Sequence, residues 1–135
     1  MQFKIDGKVQ AKQRPQFGRG HAYTPEETVN YEQWIKLCFI QNKGDWECSD
    51  NPIKMTCNIS TKRPKAHYNS KGEVKPQFKT VLPTKKPDTS NCVKGIEDAL
   101  NGIAYHDDSQ ITTAHVTKRY TDTDYVIVTI VEDEL

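Results

Sequence analysis

The densest chemistry in this sequence lies between residues 87 and 110. It reads Pro87-Asp88-Thr89-Ser90-Asn91-Cys92-Val93-Lys94, then Asp98-Ala99-Leu100-Asn101-Gly102, then His106-Asp107-Asp108-Ser109-Gln110. An acid stands just before a helical stretch, a lysine follows within it, and an acid pair comes after the loop beyond. Asn91, Lys94 and Asp98 share one helical face at i, i+3 and i+7. Asp88, Asp108 and, more weakly, Asp107 could bring two or three carboxylate oxygens to one magnesium ion, which takes few carboxylates and keeps several waters. Such an ion would polarise a phosphodiester oxygen and lower the pKa of a bound water. Lys94 could stabilise the pentacovalent phosphate or the leaving oxygen. Taken singly, each residue has a plainer role. Asp88 can be a helix-capping acid, Asp107-Asp108-Ser109 a solvated turn, and Lys94 with Asp98 a surface i, i+4 pair.

The elements that must position these groups follow from periodicity. Residues 2–5 alternate and form a first strand, turned by Asp6-Gly7. Residues 8–23 are basic and aperiodic and read as a loop, with a short strand near Ala22-Tyr23. Thr24-Pro25-Glu26-Glu27 starts a helix to about residue 41: Thr24 caps, Pro25 takes the first position, and Glu27 completes a capping box. Its stripe is Val29, Tyr31, Trp34, Ile35, Cys38 and Phe39. Residues 53–59 alternate as a half-buried strand. The proline- and lysine-rich stretch 62–86 is expected to be a mobile basic loop. A second helix covers 90–100, capped by Thr89 or Ser90, with Val93, Ile96 and Leu100 inward and Gly102 past its end. Residues 111–118 and 125–131 are strands separated by a turn at 121–124. The last is apolar on both faces and so belongs inside the sheet. The expected fold class is α+β: one domain over 1–135, a small mixed sheet covered by two helices.

Composition narrows the partners only through its distribution. The 135 residues carry 19 basic and 18 acidic side chains, a net charge of +1, with 35% apolar residues and a mean hydropathy of −0.80. That is polar but able to bury one modest core. The cations group as Lys8, Lys12, Arg14 and Arg19, as Lys62, Arg63 and Lys65, and as Lys79, Lys85 and Lys86. The acids gather at 88–108 and 132–134. Cations for phosphates beside carboxylates for a metal are the needs of a metal nuclease. The four cysteines form no C-x-x-C pair, so a structural zinc site is not expected, and Cys38, Cys57 and Cys92 read as small core residues. No apolar run reaches membrane length, and the expectation is a cytoplasmic protein with reduced thiols.

The run Pro87-Asp88-x-x-Asn91-x-x-Lys94-x-x-x-Asp98-Ala99-Leu100, followed by Asp107-Asp108-x-Gln110, resembles the signature of RusA-type Holliday junction resolvases. Gly7-x-x-x-x-Lys12-x-Arg14-Pro15 and Tyr23-Thr24-Pro25 are similar to the Gram-positive and phage branch of that family. The resemblance implies a bacterial or phage-encoded homodimer of mixed α/β fold. It implies binding to four-way junctions by structure and symmetric cutting with Mg²⁺ or Mn²⁺, in DNA recombination and repair. By position, Asp88 and Asp108 match two of the family's three catalytic acids, Lys94 its functional lysine, and Asp107 the accompanying acid.

One position departs from that pattern: the family's second acid, two residues after the first, is Ser90 here. Ser90 could act through a water; Glu97 could substitute, although it lies about 10 Å along the helix from Ser90; or the chemistry could be weakened, leaving a junction-binding relative that does not cut. Retained activity is the favoured reading. Lys12, Arg14, Arg19, Lys62, Arg63, Lys85, Lys86 and Asn91 are the expected DNA contacts, with Tyr68 and Phe78 available for stacking or wedging at the branch point. A protein-interaction domain with no DNA affinity is the competing class.

Overall fold

Alternation builds the sheet and decides which of its faces is covered. The structure, a computed structural model, describes residues 1–12, 16–18, 21–23 and 26–134, and the backbone alone for 16–18, 21–23 and 26–28. Strand β1 is Gln2–Asp6, β4 is Ile53–Lys62, β5 is Ile111–Thr121 and β6 is Tyr125–Glu132, in the sheet order β1-β6-β4-β5. Two short strands, β2 (Gln16–Gly18) and β3 (His21–Tyr23), form a separate antiparallel pair. The register aligns Phe3, Val128 and Cys57 in one row and Ile5, Val126 and Ile59 in the next. All six are buried in one cluster with residues of both helices. The intervening positions, such as Lys4, Ile127, Asn58 and Thr117, line the opposite face. The mixed sheet with two helices is the α+β class expected from the pattern, and β6 is paired on both sides as its two apolar faces require.

β5 and β6 are consecutive, yet β4 lies between them: parallel to β5 and antiparallel to β6. The link at 122–124 passes the end of β4. It is pinned there by the Lys62 N–H donating to the Asp124 carboxylate (2.9 Å) and the Arg63 N–H donating to the Thr121 carbonyl (3.0 Å).

Helix α1 spans Glu26–Asn42 and α2 spans Thr89–Ala99. The cap expected at Thr24-Pro25 lies outside the described residues. α1 turns Tyr31, Ile35, Cys38 and Phe39 into the core. Val29 and Trp34, expected on that stripe, are instead exposed, because Leu37 and Ile40 make the helix apolar on its outer side as well and a simple apolar count cannot choose the buried face. The cap of α2 also differs from expectation. Asp88 is the N-cap, with no side-chain cap bond, while Thr89 and Ser90 are already helical. Cys38, Cys57 and Cys92 are buried thiols, and burial pushes Cys57 up to about 12 and Cys92 up to about 11.

The basic segment 62–86 adds no strand beyond Lys62. It makes two 3₁₀ turns, Lys65–His67 and Pro76–Phe78, and a bridge between Tyr68 and Val74. His67 is buried, stacked on Phe78 at 4.2 Å and set edge-on to Tyr120 of β5 at 5.0 Å. The Tyr68 hydroxyl bonds the Asp122 carboxylate at 3.0 Å. Both aromatics offered for base stacking are thus engaged within the chain.

Ile96 is 0% exposed and joins α2 to the sheet. Ile96→Ala is expected to cost about 2–5 kcal/mol through lost burial and a residual cavity. Urea denaturation should show a lower midpoint with an unchanged slope.

Candidate active site

Four elements meet around one cluster of charge. Near the end of α2, Asp98 is largely covered, with its side chain 15% exposed. Lys94, one turn earlier, places Nζ 3.4 Å from Asp98 Oδ1 and 3.1 Å from Asp108 Oδ2. Lys12, from the segment after β1, donates to Asp98 Oδ2. That segment lies against the helix at Gly95, where a Cβ would stand 3.6 Å from the Lys12 Cβ, and the Lys12 N–H donates to the Asn91 carbonyl at 3.3 Å. Glu97 completes the cluster.

The loop carrying Asp108 is fixed by Gln110. Its Oε1 accepts from the His106 and Asp107 N–H groups (2.8 and 3.0 Å), and its Nε2 donates to the Ser49 and Asn51 carbonyls (2.8 and 3.0 Å). The Asp107 carboxylate accepts the Ser109 N–H at 3.0 Å and completes a capping box with Gln110. This division leaves Asp107 holding the turn and Asp108 facing Lys94. Tyr105, fully buried, braces the other side by donating to the Glu97 carbonyl at 2.6 Å.

The electrostatics follow from this packing. Burial, then the neighbouring charge of Asp108, pushes the Glu97 carboxyl above the usual range, with Lys94 opposing and Asp98 adding to the rise. Burial also pushes Asp98 up. The hydrogen bond from Lys12 and the charges of Lys12 and Lys94 outweigh it, so Asp98 ends below the usual range. Lys94 is raised, first by its hydrogen bond to Asp108 and then by the charge of Asp98. Asp107 is lowered chiefly by its Ser109 hydrogen bonds.

Of the residues singled out from sequence, the structure brings Lys94, Asp108, Glu97 and Lys12 together. Lys12 meets a carboxylate here, where a phosphate contact was expected. Asp88 is exposed at the start of α2, about 15 Å along the helix from Asp98, and forms no ion pair among the described residues. Lys62, Lys85, Lys86 and Asn91 are exposed, and Arg63 donates to the Phe78 carbonyl at 3.0 Å. Arg14 and Arg19 lie outside the described residues. Asp98 as the partner of Lys12, and Lys118, whose Nζ donates to the Lys85 and Pro87 carbonyls (2.9 and 3.1 Å), were not anticipated. Neither carries a local sequence signal, since both contacts span long separations.

No group of three His, Cys, Asp or Glu side chains is arranged to hold a metal among the described residues. Glu97, Asp98 and Asp108 gather three carboxylates here, with the Lys94 ammonium between Asp98 and Asp108. Clustered carboxylates with a lysine, on a scaffold bearing separate groups of lysines, are the equipment of enzymes that cleave phosphodiesters. Residues 6–131 match the family model described as endodeoxyribonuclease RusA, and the chain belongs to that family. It is also 33% identical over 137 residues to the uncharacterized protein YqaN of Bacillus subtilis (strain 168), covering 98% of this chain and 96% of that one. No helix of the described residues is long and apolar enough to cross a membrane.

The opposite shifts of two adjacent acids give opposite stability effects. Glu97 is raised, so its charged form costs stability above the carboxylate range, and that cost fades as pH falls through it. Glu97→Gln should therefore be more stable than wild type at pH 7, with the gap closing in acid. Asp98 is lowered and contributes stability that is lost only as pH falls through its depressed value. Asp98→Asn should lose about 1–3 kcal/mol at pH 7, the loss also vanishing in acid. Thermal melts from pH 3 to 8 check both.

Proposed function

We propose that this protein is a divalent-metal-dependent endonuclease that cuts branched DNA, four-way junctions in particular, as a homodimer in recombination and repair. The single observation that supports this reading is the convergence of Lys94 on Asp108 and Asp98, at the motif positions through which the family resemblance enters. Asp108, with Glu97 in the role vacated at Ser90, would hold Mg²⁺ or Mn²⁺, while Asp88 stands apart at the other end of α2. When bound, the ion supplies Lewis-acid polarisation of the scissile phosphate. Lys94 sits where it can neutralise charge developing on the phosphate oxygens. Glu97, pushed upward by burial, would be the most basic of these carboxylates and the candidate to accept a proton. Asp107 keeps the Asp108 loop in shape.

A homodimer would set two such clusters on opposed strands, as paired incision requires. Lys62, Arg63, Lys85, Lys86 and Asn91, together with Arg14 and Arg19, would contact the backbone. The outer part of the 62–86 segment would settle on the junction arms as they bind. Recognition would follow junction shape, since no helix is placed as a groove reader. The protein would act in the cytoplasm. Ser90, exposed in the first turn of α2 where the family carries an acid, favours one second reading: a relative that binds junctions and no longer cuts.

A labelled synthetic four-way junction incubated with Mg²⁺ or Mn²⁺ separates these readings. Wild type should incise two strands and stop when EDTA is added. Asp108→Asn should cut at least 100-fold more slowly while binding as well as wild type. Binding without incision in either metal would sink the catalytic reading. Under the second reading alone, Ser90→Asp switches cutting on.

A further inference from the structure

At the opposite end of α2 from the acids, the base of the 62–86 segment, the end of β4 and β5 enclose a pocket of about 190 Å³. Lys8, Lys62, Lys85, Lys86 and Lys118 line it, with Tyr120, and no acid does. None of these five lysines forms an ion pair with a carboxylate among the described residues. Lys118 is held in place: half-buried, it donates to the Lys85 and Pro87 carbonyls at 2.9 and 3.1 Å. Tyr120 is fixed edge-on by buried His67. Two of the walls are thus built, while Lys8, Lys62, Lys85 and Lys86 are exposed and free to turn inward.

Five like charges around one small space repel each other. Ion pairs elsewhere on this chain show that its lysines find carboxylates where the fold offers them, as Lys12 and Lys94 do. The pocket is below the roughly 300 Å³ at which sites for drug-sized ligands begin. It therefore suits a single compact anion better than a whole nucleotide.

We propose that the lysine-lined pocket at the N-terminal end of α2 seats one phosphodiester group of the DNA backbone, about one helix length from the acid cluster. The inference rests on the DNA-cutting reading above and deepens it. The occupant is a phosphate of a strand running from the cluster along α2, and Lys8, Lys118 and Tyr120 join the contact surface. At 3.4 Å of rise per nucleotide in a duplex, the roughly 15 Å of α2 spans about four or five steps. A strand engaged at the acids reaches the pocket a few phosphates away.

The test uses Lys8→Gln/Lys86→Gln, since both side chains are exposed and form no hydrogen bond or ion pair among the described residues. Junction affinity is measured by fluorescence anisotropy from 50 to 300 mM salt. Loss of one neutralised phosphate should weaken binding about tenfold at 100 mM and reduce the log–log salt slope by about 0.9. In parallel, NMR titrations of wild type with oligothymidylate and with inorganic phosphate follow Lys118 and Tyr120. Oligothymidylate should shift both at concentrations at least tenfold below those inorganic phosphate needs. Wild-type affinity and slope in the double variant, or no shift at Lys118 and Tyr120, overturns the phosphate seat. Equal potency of inorganic phosphate overturns the DNA strand as its occupant. A wild type that binds no junction defeats the nuclease reading instead, and the titrations still decide the pocket.

Discussion

Carboxylates crowded together away from water repel one another and lose hydration, and the end of α2 imposes both on Glu97, Asp98 and Asp108. Two ammonium groups answer them. Lys94 serves Asp98 and Asp108, and Lys12 serves Asp98. Three negative charges against two positive leave a deficit of one, and it falls on Glu97, the acid with no ion pair among the described residues. That acid is also the one whose pKa is raised. A site built only for stability would have closed the deficit with a third cation or an amide. The unmatched carboxylate leaves this corner with a net negative charge.

The scaffold holds that unfavourable arrangement by joining charges from three parts of the chain. Lys94, Glu97 and Asp98 ride on α2, whose other face, Cys92, Ile96 and Ala99, is buried in the core. Lys12 arrives on the segment after β1, which packs on the helix beside Gly95. Asp108 takes its place from the chain entering β4, because Gln110 ties the 106–107 backbone to the Ser49 and Asn51 carbonyls. One amide side chain makes four bonds to the main chain, so the acid loop inherits the rigidity of the sheet. Relaxing any one of these elements would let the carboxylates drift apart, which is the direction repulsion favours.

The readable part of this molecule is the part governed by local pattern. Alternation located β4 and β6, and the two apolar faces of β6 gave its interior position. The i, i+4 spacing gave the Lys94–Asp98 pair. The motif positions picked Lys94 and Asp108, and the loop after Gly102 does return Asp108 to the helix. What was hidden depends on long-range packing. α1 carries apolar residues on its outer side as well, so only the sheet beneath it decides that Ile35 is buried and Ile40 is not. β5 pairs with β4 rather than with its neighbour in sequence, a choice made by the crossover through α2. Lys12 is read from sequence as a phosphate contact because its charge is visible and its partner, 86 residues away, is not. Asp107 and Asp108 are indistinguishable as a dipeptide. Only the capping box assigns the first to structure and leaves the second to face Lys94.

The placement of charge along α2 separates function from stability. A helix dipole favours acids at the N-terminus and cations at the C-terminus, each worth about 0.3–1 kcal/mol. In α2 the first turn holds no acid beyond the N-cap Asp88, which makes no cap bond, and the last turn holds no base. Glu97 and Asp98 occupy the negative end, and Lys85 and Lys86 precede the positive end. Nearly every charge is therefore on the wrong end for the helix. A net charge of +1 conceals this separation, because the two groups cancel in the sum. An arrangement that opposes the helix's own field at both ends, while the core beneath it is well packed, is not what folding alone would select. It is the charge separation that the proposed DNA-cutting reading requires, a cation at one end and a phosphate at the other.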